Sequence, residues 1–220
     1  MFVRALGAAL VVGLGLASVG VGAASADSGA VRLAIAVPIV VPATSDEFLD
    51  ARTLGQYTSS QGILTRQLDA VTGRTVALGV DPRIIASIRL LGSTAPASAV
   101  SWLERLEALP NETFALAYSD ADLTLQTQAG TSPVLAPESF AFAIDPTRFA
   151  GASTASPSPT AAPTDSPPLP TSDEITAWSH TLEGIAWPRD DTVVSSDLPA
   201  LATSGYTTTI MSSANVSRDS

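Results

Sequence analysis

The run from Val31 to Val41 (VRLAIAVPIVV) constrains the fold of this chain more than any other segment. It is almost continuously apolar and rich in β-branched residues, without the polar–apolar alternation of a strand that faces water on one side. Such a run is typical of a strand in a parallel sheet, where other elements cover both faces. The run therefore predicts a central strand in a protein that combines a sheet with helices.

Strand-like and helical segments alternate along the rest of the chain. The predicted strands are 31–41, 75–80, 113–118, 140–144, 184–188 and 206–211. The predicted helices are 61–71, 84–91, 98–109, a stretch after 122 that ends at 128, 173–182 and 198–203. Strands that alternate with helices form parallel sheets joined by right-handed crossovers. The expected fold class is therefore α/β, with a parallel (β/α) barrel-like domain.

A Pro-, Ser-, Thr- and Ala-rich segment, 151–172, interrupts this pattern. It is expected to be a disordered insertion, because strands and helices resume after it; an interdomain linker is the alternative. The barrel-like domain then comprises 27–150 and 173–220. About 170 residues remain for it, whereas an eight-fold barrel takes about 250, which leaves a short barrel, an open sheet or an incomplete domain. We expect an incomplete domain, because the chain ends where a barrel loop would begin.

Residues 1–26 have the pattern of a secretory signal peptide. Arg4 precedes a run of Ala, Val, Leu and Gly, and the sequence Ala24-Ser25-Ala26 supplies a cleavage site. The run is long enough to span a bilayer, so an uncleaved anchor is the alternative. The cleavage signature favours removal near Ala26. The mature protein is then expected to be secreted or to lie in the cell envelope outside the cytoplasm.

Charge and composition exclude several classes of function. The chain has 11 basic residues against 21 acidic ones, a net charge of −10 that excludes a nucleic-acid-binding surface. It has no cysteine, which excludes disulfides, iron–sulfur clusters and cysteine nucleophiles. The single histidine, His180, cannot form a histidine metal triad and is expected to be a surface or packing residue. GxSxG, P-loop and GxGxxG motifs are absent. The sequence therefore predicts no cofactor and no metal.

Aspartates follow three of the predicted strands: Asp81, the pair Asp120 and Asp122, and the pair Asp190 and Asp191. The carboxyl ends of parallel strands meet at one edge, where α/β folds bind ligands. The five carboxylates are therefore expected on one rim. Carboxylates gathered there can act as general acid and base on a glycosidic bond or hold a hard cation.

The candidate catalytic residues are Asp81, Asp190 and Asp191. Candidate ligand-binding residues are Asp120, Asp122, Trp187 and Arg189, since a flat aromatic ring at the rim could stack on a sugar. The alternatives are structural. Aspartates after strands commonly cap helices or form turns, which is favoured for Asp120, Asp122 and Asp197. In the structural alternative, Trp187 packs in the core and Arg189 only neutralises the acidic residues beside it.

Several segments carry a resemblance to a known family: VRLAIAVPIVVP, GILTRQLDAVTGRTVALGVDPRIIASIRLLG, WLERLEAL and FALAYSDADLTLQTQAG. Together they resemble an uncharacterised family of large secreted actinobacterial proteins, remotely similar to the barrels of glycoside hydrolases and polysaccharide deacetylases. The later segment GIAWPRDDTV, followed by a short helix and Gly-Tyr, is similar to a deacetylase strand end. The resemblance covers roughly 31–145 and 173–213. It implies a barrel. It also implies a longer protein with a membrane anchor near its C-terminus, of which this chain is expected to be an N-terminal portion or a truncated copy.

The chain departs from that pattern at the chemical positions. The deacetylases carry an aspartate pair after the first strand and a histidine pair for metal, whereas here that strand ends in Pro42-Ala43-Thr44. The related glycosidases place a catalytic glutamate where Arg189-Asp190-Asp191 stands in this chain. Only Asp190 or Asp191 could replace it.

Three functions remain. The favoured one is a non-catalytic envelope protein whose degenerate barrel binds a cell-wall glycan or an envelope protein partner. The second is a metal-independent glycoside hydrolase that uses Asp81 with Asp190 or Asp191. The third is a structural segment of a larger envelope protein that binds no ligand. In all three, the chain meets the membrane only through its signal segment or a missing C-terminal anchor.

Overall fold

A computed structural model describes residues 33–149 and 170–216 of the 220-residue chain. The predicted signal peptide, 1–26, lies outside these residues, and so does most of the predicted insertion, 151–169. All the described helices and strands belong to one compact unit that begins at Ala34.

Five strands form two parallel sheets within the described residues. In the first sheet the middle strand pairs with both neighbours, Ala36 lying opposite Ala77 and Leu78 opposite Thr113. The second sheet is a pair of two-residue strands. The strands are β1 (Ala36–Ile39), β2 (Ala77–Val80), β3 (Thr113–Ala115), β4 (Ile185–Ala186) and β5 (Thr208–Thr209). The predicted α/β class with parallel pairing is confirmed, and the described strands do not close into a barrel.

Seven α-helices connect or follow these strands in the described ranges: α1 (Ala51–Tyr57), α2 (Ile63–Val71), α3 (Pro82–Leu90), α4 (Ala97–Glu107), α5 (Leu123–Gln128), α6 (Ser172–Thr176) and α7 (Asp197–Thr203). All but α1 correspond to predicted helices. None of these helices has the length and apolar character needed to cross a bilayer.

The main apolar core is built from β1, β2 and the helices α1 to α4. Its fully buried members include Ile39, Leu54, Leu64, Leu68, Leu78, Val80, Ile84 and Ile85. Helix α3 lies at the centre, because every residue from Pro82 to Ile88 is buried. The Trp102 indole on α4 donates a hydrogen bond to the Leu64 carbonyl at 3.0 Å. This core holds the ends of the first sheet in fixed positions.

Two predicted elements differ from the structure. The strand expected at 140–144 is wrong: a short 3-10 turn, Ala141–Ala143, takes its place, with Phe140 buried and Phe142 70% exposed. No described strand lies beside it to complete a ladder. The helix expected at 173–182 ends at Thr176 instead, and Thr171 rather than Ser172 is its N-cap. Arg89 on α3 donates to the carbonyls of Glu174 and Ile175, which would otherwise accept bonds from a further helical turn.

Helix α1 was missed because its sequence gives little helical signal. It contains Gly55, and Leu54 is the residue that it buries. One signal was present: Asp50 precedes the helix, and its carboxylate accepts the Thr53 N–H at 2.7 Å. This is the N-cap arrangement for which aspartate is preferred.

Candidate functional site

Asp81, at the end of β2, links two strand ends. One oxygen of its carboxylate accepts the backbone N–H of Arg83 at 2.9 Å and that of Ser119 at 2.8 Å. The first bond caps helix α3, and the second holds the segment that follows β3. The side chain is 2% exposed. Asp81 is therefore a buried acceptor that joins β2, α3 and the turn after β3.

Burial raises the pKa of Asp81 from 3.8 to about 6, because water no longer solvates the charged form. The two backbone hydrogen bonds and the charge of Arg83 lower this pKa, and the charge of Asp120 raises it. Desolvation is the largest of these effects. A carboxyl that exchanges its proton near pH 6 can act as a general acid or base if a substrate reaches it.

Arg83 lies beneath Asp81 and is 1% exposed. Its guanidinium donates to the Thr44 hydroxyl at 2.6 Å and to the Asp46 carbonyl, both after β1, and at 3.4 Å to the Ser119 hydroxyl. These bonds give neutral oxygens to the two terminal nitrogens of a buried charge, while Nε of Arg83 has no hydrogen-bond partner among the described residues. Together with Asp81, Arg83 fixes the ends of β1, β2 and β3 relative to one another.

Asp120, Asp122 and Arg189 form one part of the predicted rim, in which Asp122 is half-buried and the other two residues are exposed. Asp122 caps α5 by accepting the Leu125 N–H at 3.0 Å, and its second oxygen lies 3.4 Å from Nε of Arg189. Burial raises the pKa of Asp120, an effect that Arg189 opposes. The capping role is confirmed for Asp122. Asp197, by contrast, does not cap α7: it is the first residue of that helix and accepts bonds from Val194, Thr127 and Gln128.

The remaining rim candidates lie apart from Asp81. Asp190 and Asp191 are exposed in a turn, and Asp191 has a left-handed backbone with φ of 60°. Neither forms an ion pair or side-chain hydrogen bond with another described residue. The ring of Trp187 stacks on Phe114 of β3 at a centroid distance of 6.2 Å, so that face is packed. Within the described ranges, no three His, Cys, Asp or Glu residues converge as a metal site.

A cavity of about 380 Å³ lies beyond the end of β3, and we call it the inter-sheet cavity. Backbone bonds from Thr181 and Leu182 to the Thr113 carbonyl hold the chain against the first residue of β3. The strands β3 and β4 belong to different sheets, and the cavity extends from Ala115, the last residue of β3, to Tyr206, which precedes β5 of the second sheet. Its lining residues are Pro82, Ala115–Tyr118, Val134–Pro137, Phe140, Ser172, Asp173, Thr176–Trp178, His180, Ser204 and Tyr206.

Four ring side chains give the inter-sheet cavity its chemical character. Tyr118, Trp178, His180 and Tyr206 all line it, and the rings of Trp178 and His180 are 4.9 Å apart. Burial raises the pKa of Tyr118, and the charge of Asp81 raises it further, so its hydroxyl stays protonated. Neither this hydroxyl nor the Trp178 indole N–H has a hydrogen-bond partner among the described residues. The cavity therefore presents aromatic faces, while these two unpartnered groups have almost no accessible surface and lie behind its wall.

Comparison with protein-family models, with curated proteins and with solved structures finds no match to this chain. The residues of the chain itself are therefore the basis for assigning its function.

The sequence predicted a site made of the strand-end aspartates. It did not predict the cavity or the residues that line it. His180 was expected to be a surface or packing residue, and it packs against Trp178 at the wall of a cavity. Asp81, Asp190 and Asp191, the candidate catalytic residues, do not line it. One sequence signal could have drawn attention to this region: the dense aromatic pattern W-S-H at 178–180, just before a predicted strand.

Proposed function

We propose that the chain is a secreted cell-envelope protein that binds a cell-wall glycan without cleaving it. Its fold is an incomplete, degenerate (β/α) barrel in which β1 to β3 are the first three strands. The sequential parallel order of these strands supports this architecture, since barrels add each strand beside the previous one. The resemblance to the secreted actinobacterial family and the signal-peptide pattern support the location.

The inter-sheet cavity is the observation that carries the proposed binding function. Ligand cavities of about 300–1,000 Å³ with apolar and aromatic walls and few polar groups are typical of small-molecule sites. This cavity falls in that range and presents Tyr118, Trp178 and Tyr206. Aromatic faces pack against the C–H faces of sugar rings, while an indole N–H or phenol bonds to sugar hydroxyls.

A lack of catalysis is supported by the positions of the acids. Retaining and inverting glycosidases need two carboxyl groups on opposite sides of the scissile bond, within about 5–10 Å of each other. Among the acidic residues that the structure describes, Asp173 alone lines the inter-sheet cavity. Asp81 is buried and accepts two backbone hydrogen bonds, and Asp122 forms an ion pair with Arg189.

A melting experiment tests this function. The protein is recovered from an exporting bacterial host, and its melting temperature is measured with soluble cell-wall glycan fragments added. A ligand that binds only the native state raises the melting temperature with concentration. We expect such a rise in the wild type, a smaller rise in Tyr206→Ala, and an unchanged rise in Phe142→Ala, an exposed aromatic outside the cavity. If no glycan moves the melting temperature, the structural-segment function replaces this one.

The hydrolase alternative retains one supporting observation, the raised pKa of Asp81. It is tested by incubating the protein with cell-wall polysaccharide and measuring released reducing ends. We expect no release. Release that disappears in Asp81→Asn and in Asp190→Asn or Asp191→Asn, with melting temperatures retained, would establish the hydrolase instead.

A further inference from the structure

The walls of the inter-sheet cavity are more apolar than a free sugar requires. Beside its rings, the cavity is lined by Leu116, Val134, Pro137, Phe140 and several alanines. A sugar ring carries hydroxyls around its whole edge, and each one that loses water without a new partner costs free energy. The polar side chains on these walls, such as Ser172, Asp173, Thr176 and Ser204, are outnumbered by apolar ones. The larger part of the cavity surface therefore suits a hydrocarbon group.

The polar groups on the wall define what the rest of the ligand needs. Hydroxyls and one carboxylate line it, from Ser172, Asp173, Thr176 and Ser204. The unpartnered Trp178 indole N–H and Tyr118 hydroxyl are not among them, because neither atom has appreciable accessible surface. A ligand with an apolar part and a hydroxylated part would match both kinds of wall.

The entrance is also apolar. One wall is the irregular segment 134–137, in which Leu135 is 76% exposed. Its backbone N–H bonds to the Gln126 side chain at 2.7 Å, which places it beside α5, where Leu125 is 67% exposed. Contiguous exposed apolar side chains commonly mark a ligand-binding groove. A hydrocarbon chain can thus meet apolar surface outside the cavity as well as within it.

From these observations we infer that the inter-sheet cavity holds the alkyl or acyl chain of an amphiphilic sugar ligand. This inference deepens the proposed glycan-binding function and rests on it for the sugar part of the ligand. It specifies that the glycan which binds most tightly is one that carries a hydrocarbon chain.

Two ligands with the same head group test the inference. Octyl β-glucoside, kept below its micelle concentration, is compared with methyl β-glucoside by titration calorimetry and by melting temperature. Burial of a methylene contributes about 0.8 kcal/mol, so a chain longer by several methylenes should bind at least tenfold more tightly. We expect heat of binding and a raised melting temperature with the octyl compound, and neither with the methyl compound at equal concentration.

Variants at exposed positions test whether the alkyl chain of the ligand occupies the cavity, without damaging the protein core. Ala136 and Ala177 line the cavity and are exposed, so Ala136→Phe and Ala177→Phe narrow it while leaving the core intact. Ala141→Phe is the matched control, since Ala141 is exposed but does not line the cavity. We expect the first two variants to weaken octyl glucoside binding at least tenfold and the control to bind like the wild type.

The outcomes separate the inference from the proposed function. If octyl and methyl glucosides bind alike, or if Ala136→Phe and Ala177→Phe bind the octyl compound like the wild type, the inference is overturned even where wall glycans bind. If the octyl compound binds as expected and no wall glycan does, the alkyl site stands and the proposed glycan function fails.

Discussion

The carboxylate of Asp81 accepts the backbone N–H of Ser119 at 2.8 Å, across 38 positions of the chain. The same oxygen accepts the N–H of Arg83, two residues away, at 2.9 Å. A buried anion thus ties the start of α3 to the turn after β3. Tyr118, which lines the inter-sheet cavity, directly precedes that turn residue, so this hydrogen bond holds the backbone next to the cavity.

The pH dependence of stability follows from the raised pKa of Asp81. The pKa is about 6 in the folded state and 3.8 for the ordinary carboxyl. Between these values the folded state binds more protons than the unfolded state, so the free energy of unfolding falls as pH rises. At about 1.4 kcal/mol per pKa unit, the whole effect is about 3 kcal/mol. Asp81→Asn keeps the accepting oxygen and has no charge. We expect it to match the wild type near pH 4 and to exceed its stability by up to about 3 kcal/mol at pH 7.

Urea unfolding of both proteins at pH 4, 5, 6 and 7 measures this difference. A stability gain of Asp81→Asn that is the same at every pH would contradict the assigned titration. A loss at pH 7 would show instead that the carboxylate charge stabilises this junction.

Asp197 should show the opposite dependence. Although desolvation raises its pKa, hydrogen bonds from Val194, Thr127 and Gln128 together hold that pKa below its usual value. A lowered pKa contributes stability that is present above the unfolded pKa, near 3.8, and is lost as pH falls through the folded pKa. Asp197→Ala leaves the half-buried Thr127 hydroxyl and two donors on the exposed residues Val194 and Gln128 without an acceptor, which should cost about 1–3 kcal/mol at pH 7.

The same urea series tests this expectation. The destabilisation caused by Asp197→Ala should shrink as pH falls towards 3, while Asp197→Asn, which keeps one acceptor oxygen, should lose less at pH 7. Equal stability of Asp197→Ala and the wild type at pH 7 would show that these hydrogen bonds contribute nothing.

The sequence predicted the elements that depend on local pattern. The Asp81-Pro82 pair follows β2 directly, because proline has no N–H to donate to a strand ladder, and the apolar run from 84 located α3, which begins two residues earlier at Pro82. The apolar spacing in 61–71 and 98–109 likewise located α2 and α4. In each case the signal lies within a dozen residues of chain, which is why a single sequence could reveal it.

The cavity could not be predicted, because it is made by residues distant in sequence. Trp178 meets the end of β3 only because Arg89 ends α6 early and Thr113 binds the chain at Thr181. Neither contact leaves a mark in the sequence around 178. The rim of acids was predicted from strand ends, but the turn at Asp190 directs that pair to solvent. Backbone turns of this kind decide which strand-end residues meet.

Gly79 marks a close approach of two strands. A Cβ at Gly79 would lie 2.9 Å from Cζ of Phe114 and 2.9 Å from Cδ2 of Leu116. Gly79→Ala therefore forces both side chains to move in a packed core, which typically costs about 1–3 kcal/mol. Gly55 is the matched control: it lies in α1, and its Cβ would meet Pro96 at 3.7 Å, an ordinary contact. Gly55→Ala should stabilise by about 0.5–1 kcal/mol. Thermal melts that show the same sign for both substitutions would contradict this account.

Arg89 determines where α6 ends, and with it one wall of the inter-sheet cavity. Its guanidinium donates to the carbonyls of Glu174 at 2.9 Å, Ile175 and Ala177, and it pairs with Glu107 at 3.3 Å. Arg89→Met removes these bonds from the last turn of α6. We expect a loss of about 1–2 kcal/mol of stability and faster hydrogen exchange confined to that helix.

Arg105→Met is the control for this substitution, because Arg105 pairs with Asp69 at the exposed surface. Exposed ion pairs contribute about 0–1 kcal/mol, and Arg105 bonds to Asp69 rather than to α6. Arg89→Met should also weaken octyl glucoside binding, since Ser172 and Thr176 of α6 line the cavity. Arg105→Met should bind like the wild type. If the two variants show the same exchange rates in α6 and the same affinity, Arg89 does not hold the cavity wall.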